Sequence, residues 1–352
     1  MKTIQHDIVP KQVDIEVTSR CNLQCKLCPT LDGKAKAMDM PLSLFKSIIK
    51  RVNFPTTIVP WLNGEPMLHP EYPEMLKTLN DAHLRYYVTT NGMLFRQDAF
   101  MELLSPGTSC YQIIFSLDGM DCKTAAAARP GTDYETVSKS IKTAMEMNRD
   151  LGKHVDIAVK ICERGQDYEE IERFIAKWLG VADYVCVGKP LNRLNEESMR
   201  KYPCRYSDPN FMVVKSDGRM TRCAYNFAAT NDERYTMGRV DGEYEDVPLL
   251  DIYNNEKMRD FRTAQRNGIF PGPCATCGFA YTGDGFDGTL RFRNRDLMPL
   301  PVFYHDDYYN RFFSLTEKKK GGSWSGTYIR CRSCKGLQRG GNEKCTICGE
   351  AL

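Results

Sequence analysis

Three cysteines packed into one short stretch, Cys21-Asn22-Leu23-Gln24-Cys25-Lys26-Leu27-Cys28, constrain this chain more than anything else in it. They follow an alternating, β-branched run from Val13 to Val17, so a strand ends just before the thiols begin. A closed structural metal site asks for four protein ligands, and three leave one position open. On an iron–sulfur cluster, normally held by four thiolates, the same shortfall frees one iron for a cofactor. From the residues alone the triplet reads as an open cluster site, a zinc site borrowing a distant ligand, or free core thiols.

The surroundings narrow the compartment and the partners. The chain has 352 residues, enough for two domains or one large domain with appendages, and a net charge of only +3. No global charge bias points to nucleic acid, and no apolar run is long enough to span a membrane. Met1 to Asp7 lacks the apolar core of a signal peptide, so a cytoplasmic location is expected. Most of the fifteen cysteines fall into three groups with metal-ligand spacing, which in a reducing compartment read as metal or cluster sites.

Up to about residue 190, strand-like and helix-like segments alternate. Strands are expected at Val13–Thr18, Thr56–Leu62, Arg85–Thr90, Tyr111–Leu117, Val155–Cys162 and Asp183–Gly188. Helices are expected between them at Leu42–Val52, Glu71–Ala82, Gln97–Leu104, Tyr134–Leu151 and Tyr168–Leu179. This is an α/β pattern of parallel strands with helical crossovers, too short for a full eight-fold barrel: a partial (β/α)6 TIM-type barrel. Chemistry in such barrels gathers at the C-terminal ends of the strands. Three short motifs fall there: Gly64-Glu65-Pro66, Thr90-Asn91-Gly92 and Ser116-Leu117-Asp118-Gly119. Each alone is an ordinary turn sequence.

Together, in this order after the cysteine triplet, they resemble the core of the radical S-adenosylmethionine (SAM) superfamily. The resemblance implies that Cys21, Cys25 and Cys28 hold a 4Fe-4S cluster and that SAM binds its open iron. Gly64, Glu65 and Pro66 would then meet the SAM ammonium group, which needs acceptors such as backbone carbonyls and a carboxylate. Thr90, Asn91, Ser116, Asp118 and Arg129 are the other expected SAM contacts. Many family members have an aromatic residue before the third cysteine, where this chain has Leu27.

The second half carries two further cysteine sets. Phe211–Lys215 and Met220–Cys223 flank the turn Ser216-Asp217-Gly218 as hairpin arms, and a helix is expected between Pro248 and Gln265. Cys204, Cys223, Cys274 and Cys277 make a complete set of four, which by ligand type suits zinc or iron–sulfur. Their layout resembles the twitch domain, a shortened SPASM extension, which implies one auxiliary 4Fe-4S cluster. Cys331-x-x-Cys334 and Cys345-x-x-Cys348 resemble a zinc ribbon, with Zn2+ stapling a small basic unit. The expected division is a barrel over 1–195, a small α+β twitch/SPASM domain over 196–280, an aromatic-rich connecting arm over 281–324 and the ribbon over 325–352.

For function, the resemblance implies an enzyme in which a 5′-deoxyadenosyl radical removes a hydrogen atom from an unactivated carbon. The cysteine layout resembles that of twitch-domain dehydrogenases of the butirosin aminocyclitol type, which implies a small sugar- or aminocyclitol-like substrate. In such an oxidoreductase the auxiliary cluster takes up the electron released as a carbinol radical becomes a ketone. Epimerisation is the alternative, with Cys122 or Cys162 returning a hydrogen atom to the opposite face. A peptide-modifying maturase and a metal-stapled binding module are two more readings, the second with nucleic acid held through the ribbon. The expected partners are a small molecule or peptide and a flavodoxin- or ferredoxin-like one-electron donor, with no membrane.

Overall fold

The computed structural model describes residues 8–25, 28, 37–162, 168–188, 211–223, 235–270 and 274–275, together with the backbone of short strands at 289–293, 299–301, 328–330 and 337–339. The first half alternates as the sequence suggests. It runs β1 (Gln12–Ile15), α1 (Leu42–Lys50), β2 (Thr57–Val59), α2 (Tyr72–Asp81), β3 (Tyr86–Thr90), α3 (Gln97–Leu104) and β4 (Cys110–Ser116). Then come α4 (Cys122–Ala128), α5 (Tyr134–Asp150), β5 (Asp156–Cys162), α6 (Tyr168–Leu179) and β6 (Tyr184–Gly188). All neighbouring pairs from β1 to β6 are parallel, as helical crossovers require. The α/β fold class and the parallel partial barrel are as expected.

Period-two alternation sorts the strands into two faces. Val13, Ile15, Val88, Phe115, Val159 and Val185 join the helices in the main core. The helices answer with apolar stripes at helical spacing, such as Leu44, Phe45, Ile48 and Ile49 on α1. The opposite face lines the barrel lumen, where Ile114, Ala158, Tyr184 and Cys186 form a separate small cluster against Tyr87. Asp14 and Glu16 share the lumen side of the first strand's path.

Several boundaries differ for physical reasons. The first strand ends at Ile15 because the chain then bends, leaving Thr18 in an isolated bridge with Asp39. The second ends at Val59 because Pro60 has no N–H to offer a ladder. Helix α4 was not anticipated. It is short and alanine-rich, and starts from a reciprocal capping box between Asp121 and Thr124. Instead of one helix between Pro248 and Gln265 there are two, α7 (Leu249–Tyr253) and α8 (Glu256–Arg266). They part at Asn254–Asn255, where the Asn255 side chain caps the second by accepting from the Met258 N–H at 2.9 Å.

The second half does not stand apart from the barrel. β7 (Phe211–Val214) pairs in parallel with β1, from Gln12↔Phe211 to Ile15↔Val214, so the sheet continues through β8 (Arg219–Thr221) and β9 (Thr236–Arg239). At the far edge, β10 (Thr289–Arg293) pairs antiparallel with β6 and is followed by β11 (Pro299–Pro301). Part of the stretch read as a connecting arm therefore contributes strands to the barrel edge. Buried polar ties reinforce the continuity. Glu16 forms an ion pair with Lys215 and accepts from Ser216 N at 3.2 Å, Ser216 Oγ at 3.0 Å and Asn63 Nδ2 at 3.0 Å. Arg51, capping α1, donates to the carbonyls of Val240 at 2.6 Å, Tyr244 at 2.9 Å and Val247 at 3.2 Å.

Near the C-terminus β12 (Tyr328–Arg330) and β13 (Leu337–Arg339) form an antiparallel pair. Among the described residues no helix is long and apolar enough to cross a membrane.

Candidate active site

The site is built at the C-terminal ends of the strands, around the loop that leaves β1. That loop is tied down before and after its cysteines. Thr18 Oγ1 donates to Asp39 at 2.6 Å, and Arg20 reaches the same carboxylate through Nε at 2.9 Å and Nη2 at 2.6 Å. Further along, Asn91 Nδ2 donates to Asn22 Oδ1 at 2.8 Å and the Gln24 N–H to the Pro130 carbonyl at 3.1 Å. Hydrogen bonds to Asp39, from Asn91 at the end of β3 and to the Pro130 carbonyl thus fix the backbone on which the thiols sit.

The Gly-Glu-Pro segment is locked against this loop. Gly64 has φ +81°, and a Cβ there would lie 2.5 Å from the Thr18 carbonyl oxygen and 2.6 Å from that of Arg20. Only glycine allows so close a crossing. The Glu65 N–H then donates to the Arg20 carbonyl at 2.7 Å. The Glu65 side chain is 2% exposed and turns inward. It accepts from Thr90 Oγ1 at 2.7 Å, Asn91 N at 2.7 Å and Met67 N at 3.2 Å. Burial raises its pKa, and these hydrogen bonds work against the rise. Both Glu65 oxygens thus already accept from the chain itself. The structure brings Gly64, Glu65, Pro66, Thr90 and Asn91 together as one network, in which Glu65 is the hub.

Ser116, Asp118 and Arg129 form the next sector. Asp118 has a left-handed backbone (φ +58°), held by N–H donation from Leu117 and Asp118 to the Lys160 carbonyl at 3.1 and 3.3 Å. Its carboxylate pairs with Arg129 and accepts the Cys162 N–H. Arg129 Nη1 in turn lies 3.9 Å from Cys25 Sγ. Burial opposes the charge on Arg129, but Asp118 and the neighbouring thiols outweigh it.

The thiols are accessible enough to receive a cluster: Cys21 is exposed, Cys25 and Cys28 half-buried. Desolvation pushes the Cys21 thiol up to about 11 and raises Cys25, whose rise Arg129 counters. The Cys28 N–H donates to the Cys25 carbonyl at 2.9 Å, which sets these two close together in the loop. Among the described residues no three Cys, His, Asp or Glu side chains converge on a single ion.

The two remaining thiol candidates separate. Cys122 is exposed in the first turn of α4. Cys162 ends β5 and faces the lumen: a Cβ on Gly188 would lie 3.0 Å from Lys160 Cε and 3.6 Å from Cys162 Sγ. Sequence reasoning did not single out Lys160. Its only signal was a lysine at an inward-facing register, which becomes legible once the strand ladder is known. Cys223 is half-buried just past β8, and Cys274 is buried. Cys204, Cys277, Cys331, Cys334, Cys345 and Cys348 lie outside the described residues, as does Leu27.

Comparison with known proteins agrees with this fold. A family model of the radical SAM superfamily matches residues 15–177, and the SPASM model, an iron–sulfur cluster-binding domain, matches residues 204–278. A curated relative is the tungsten-containing aldehyde ferredoxin oxidoreductase cofactor-modifying protein of Pyrococcus furiosus. It is 22% identical over 76% of this chain and 87% of its own length. Streptococcus suis SuiB, solved with S-adenosylmethionine, shares the fold at a TM-score of 0.59 and 16% identity, over 74% of this chain and 69% of SuiB. BtrN, solved with AdoMet and 2-DOIA, does so at 0.53 and 17%, over 80% of this chain and 99% of BtrN.

Proposed function

Starting from a chain that is a radical SAM enzyme with a SPASM iron–sulfur domain, we propose that it is an oxidoreductase acting on a small, polar, sugar- or aminocyclitol-like substrate. When bound at a reduced cluster, SAM supplies a 5′-deoxyadenosyl radical that removes a hydrogen atom from an unactivated carbon. The observation that carries the reading is the interlocked rim: Gly64 against the Thr18 and Arg20 carbonyls, Glu65 as hub, and Arg129 between Asp118 and Cys25.

Each group has a task. Cys21, Cys25 and Cys28 hold the 4Fe-4S cluster and leave one iron open. Because the Glu65 carboxylate is engaged by Thr90, Asn91 and Met67, it fixes the backbone whose carbonyls receive the SAM ammonium group. Arg129 holds its charge beside Cys25 and would pair with the SAM carboxylate, and Ser116 would donate to that carboxylate or a ribose hydroxyl. Cys204, Cys223, Cys274 and Cys277 hold the auxiliary cluster, a closed set suited to accepting an electron. Cys331, Cys334, Cys345 and Cys348 hold Zn2+; the antiparallel β12–β13 pair brackets the first two, as a ribbon knuckle requires.

A second reading has one observation behind it. Cys162 faces the lumen beside Lys160 and Gly188, where a thiol returning a hydrogen atom to a substrate radical would produce an epimer. The test is anaerobic reconstitution with iron, sulfide, SAM and a reductant, followed by product analysis in deuterated water. A ketone without solvent deuterium supports oxidation, whereas deuterium at the reacting carbon that disappears in Cys162→Ala supports epimerisation. Absence of 5′-deoxyadenosine under all conditions would falsify the shared premise.

A further inference from the structure

The lumen face of β1 carries two acids two residues apart, with opposite surroundings. Glu16 is saturated by Lys215, Ser216 and Asn63. Asp14 is 4% exposed and sits between Val59 of β2 and Val213 of β7 in the strand register. Its one hydrogen bond is from Gln12 Nε2 at 2.6 Å, and no cation among the described residues pairs with it. Burial pushes its pKa up to about 7. A carboxyl buried this deeply is ordinarily paired or more fully hydrogen-bonded.

Asp14 is not alone in being under-matched. The indole Nε1 of Trp61, whose ring meets the lumen residue Tyr87, is a buried donor without an acceptor, and on the lumen wall Gln112 Oε1, in a side chain 1% exposed, is a buried acceptor without a donor. Gln112 is the register partner of Tyr87, and Trp61 follows Val59, the register partner of Asp14, by two residues. An aromatic strip joins them: Trp61 meets Tyr87 edge-on at 6.2 Å between ring centroids, and Tyr87 meets Tyr111 at 5.7 Å. One wall therefore presents an anion-forming group, a donor, an acceptor and flat aromatic surface.

We infer that Asp14, Trp61 and Gln112 form a substrate-recognition site in the lumen that takes an amine-bearing, hydroxylated ring, with the ammonium group on Asp14. The aromatic strip covers the apolar face of the ring and favours a nearby cation. Trp61 donates to one hydroxyl and Gln112 accepts from another, which satisfies the atoms the fold leaves unmatched. The wall lies below the rim that carries the cysteines, so the ring's recognised end points down and its reacting carbon up. This assignment rests on the proposed radical SAM chemistry and specifies the substrate for it.

The test uses the anaerobically reconstituted full chain with SAM, and ligand-observed NMR with four probes: glucosamine against glucose, and scyllo-inosamine against scyllo-inositol. The variants are Asp14→Asn, Asp14→Leu and Trp61→Phe, each checked for iron content and circular dichroism. At least one amine should bind better than its amine-free counterpart, and at least tenfold more weakly to both Asp14 variants. Trp61→Phe keeps the ring surface and should weaken the amine and its counterpart alike. Equal amine binding in Asp14→Asn, or no preference for either amine in the wild type, overturns the assignment. SAM binding is read on the same samples by equilibrium dialysis. Its absence in wild type breaks the reading of the rim, while amine binding indifferent to residue 14 breaks only the reading of the lumen.

Discussion

The rim and the wall beneath it obey different rules. At the rim nearly every polar side chain is spoken for by another part of the chain: Thr18 and Arg20 by Asp39, Glu65 by Thr90 and Asn91, Asp118 by Arg129. On the wall, Asp14, Trp61 and Gln112 are left short. Groups that must hold a cofactor in one geometry are preorganised by internal hydrogen bonds. Groups that wait for a particular substrate are completed by the substrate. On the proposed reading, the contrast separates the part of the site that generates a radical from the part that selects its target.

The largest effect should come from the rim itself. Cys25→Ala removes a proposed cluster ligand, and SAM cleavage to 5′-deoxyadenosine should be lost together with iron-dependent absorbance. Next is the joint between barrel and second half. Lys215→Met leaves Glu16 buried without its cation, which costs about 3–5 kcal/mol and should appear as a lower urea midpoint. Glu65→Gln sets an amide N–H2 where the Thr90 hydroxyl or the Asn91 N–H donates. With one buried donor orphaned, about 1–3 kcal/mol should be lost, most of it as weaker SAM binding by dialysis.

The wall should respond in the opposite direction. Asp14→Asn removes a carboxyl whose folded pKa, about 7, lies above its ordinary value of 3.8. In that window the folded state holds a proton that the unfolded state has released, so wild-type stability declines as pH rises from about 4 to about 7 and is flat above. The variant lacks this decline. Its advantage should grow by roughly 3 kcal/mol between about pH 5 and pH 8, read as a rising difference in melting temperature. The nearest charges on that face, Glu16 and Lys215, compensate one another and are unchanged by the substitution. A stability loss at every pH would erase the contrast between rim and wall.

Much of this was legible in the amino-acid sequence because it depends on local pattern. Alternation in β3, β4 and β5 and helical stripes in α1 and α6 each read correctly from neighbours a few residues apart. What escaped depends on distant pairing. Nothing near Phe211 announces that it will lie beside Gln12, and nothing near Arg51 announces the carbonyls of residues 240–247. The inward turn of Glu65 escaped for the same reason, since its partners come from the end of another strand. Helix α4 was hidden differently: its alanines carry no amphipathic stripe, and Arg129-Pro130-Gly131 dominates the local reading as a loop.

The parallel ladder between β1 and β7 also bears on how the molecule can be divided. A strand flanked on both sides presents no open row of backbone donors and acceptors. Trimming the chain after residue 195 would strip β7 from β1 and β10 from β6, leaving two raw sheet edges and Glu16 without Lys215. Such a fragment, despite holding every cysteine of the first cluster, should self-associate through those edges rather than behave as a minimal enzyme. Size-exclusion chromatography of the fragment beside the full chain would show it. The catalytic barrel is a module by sequence pattern and an inseparable part by hydrogen bonding.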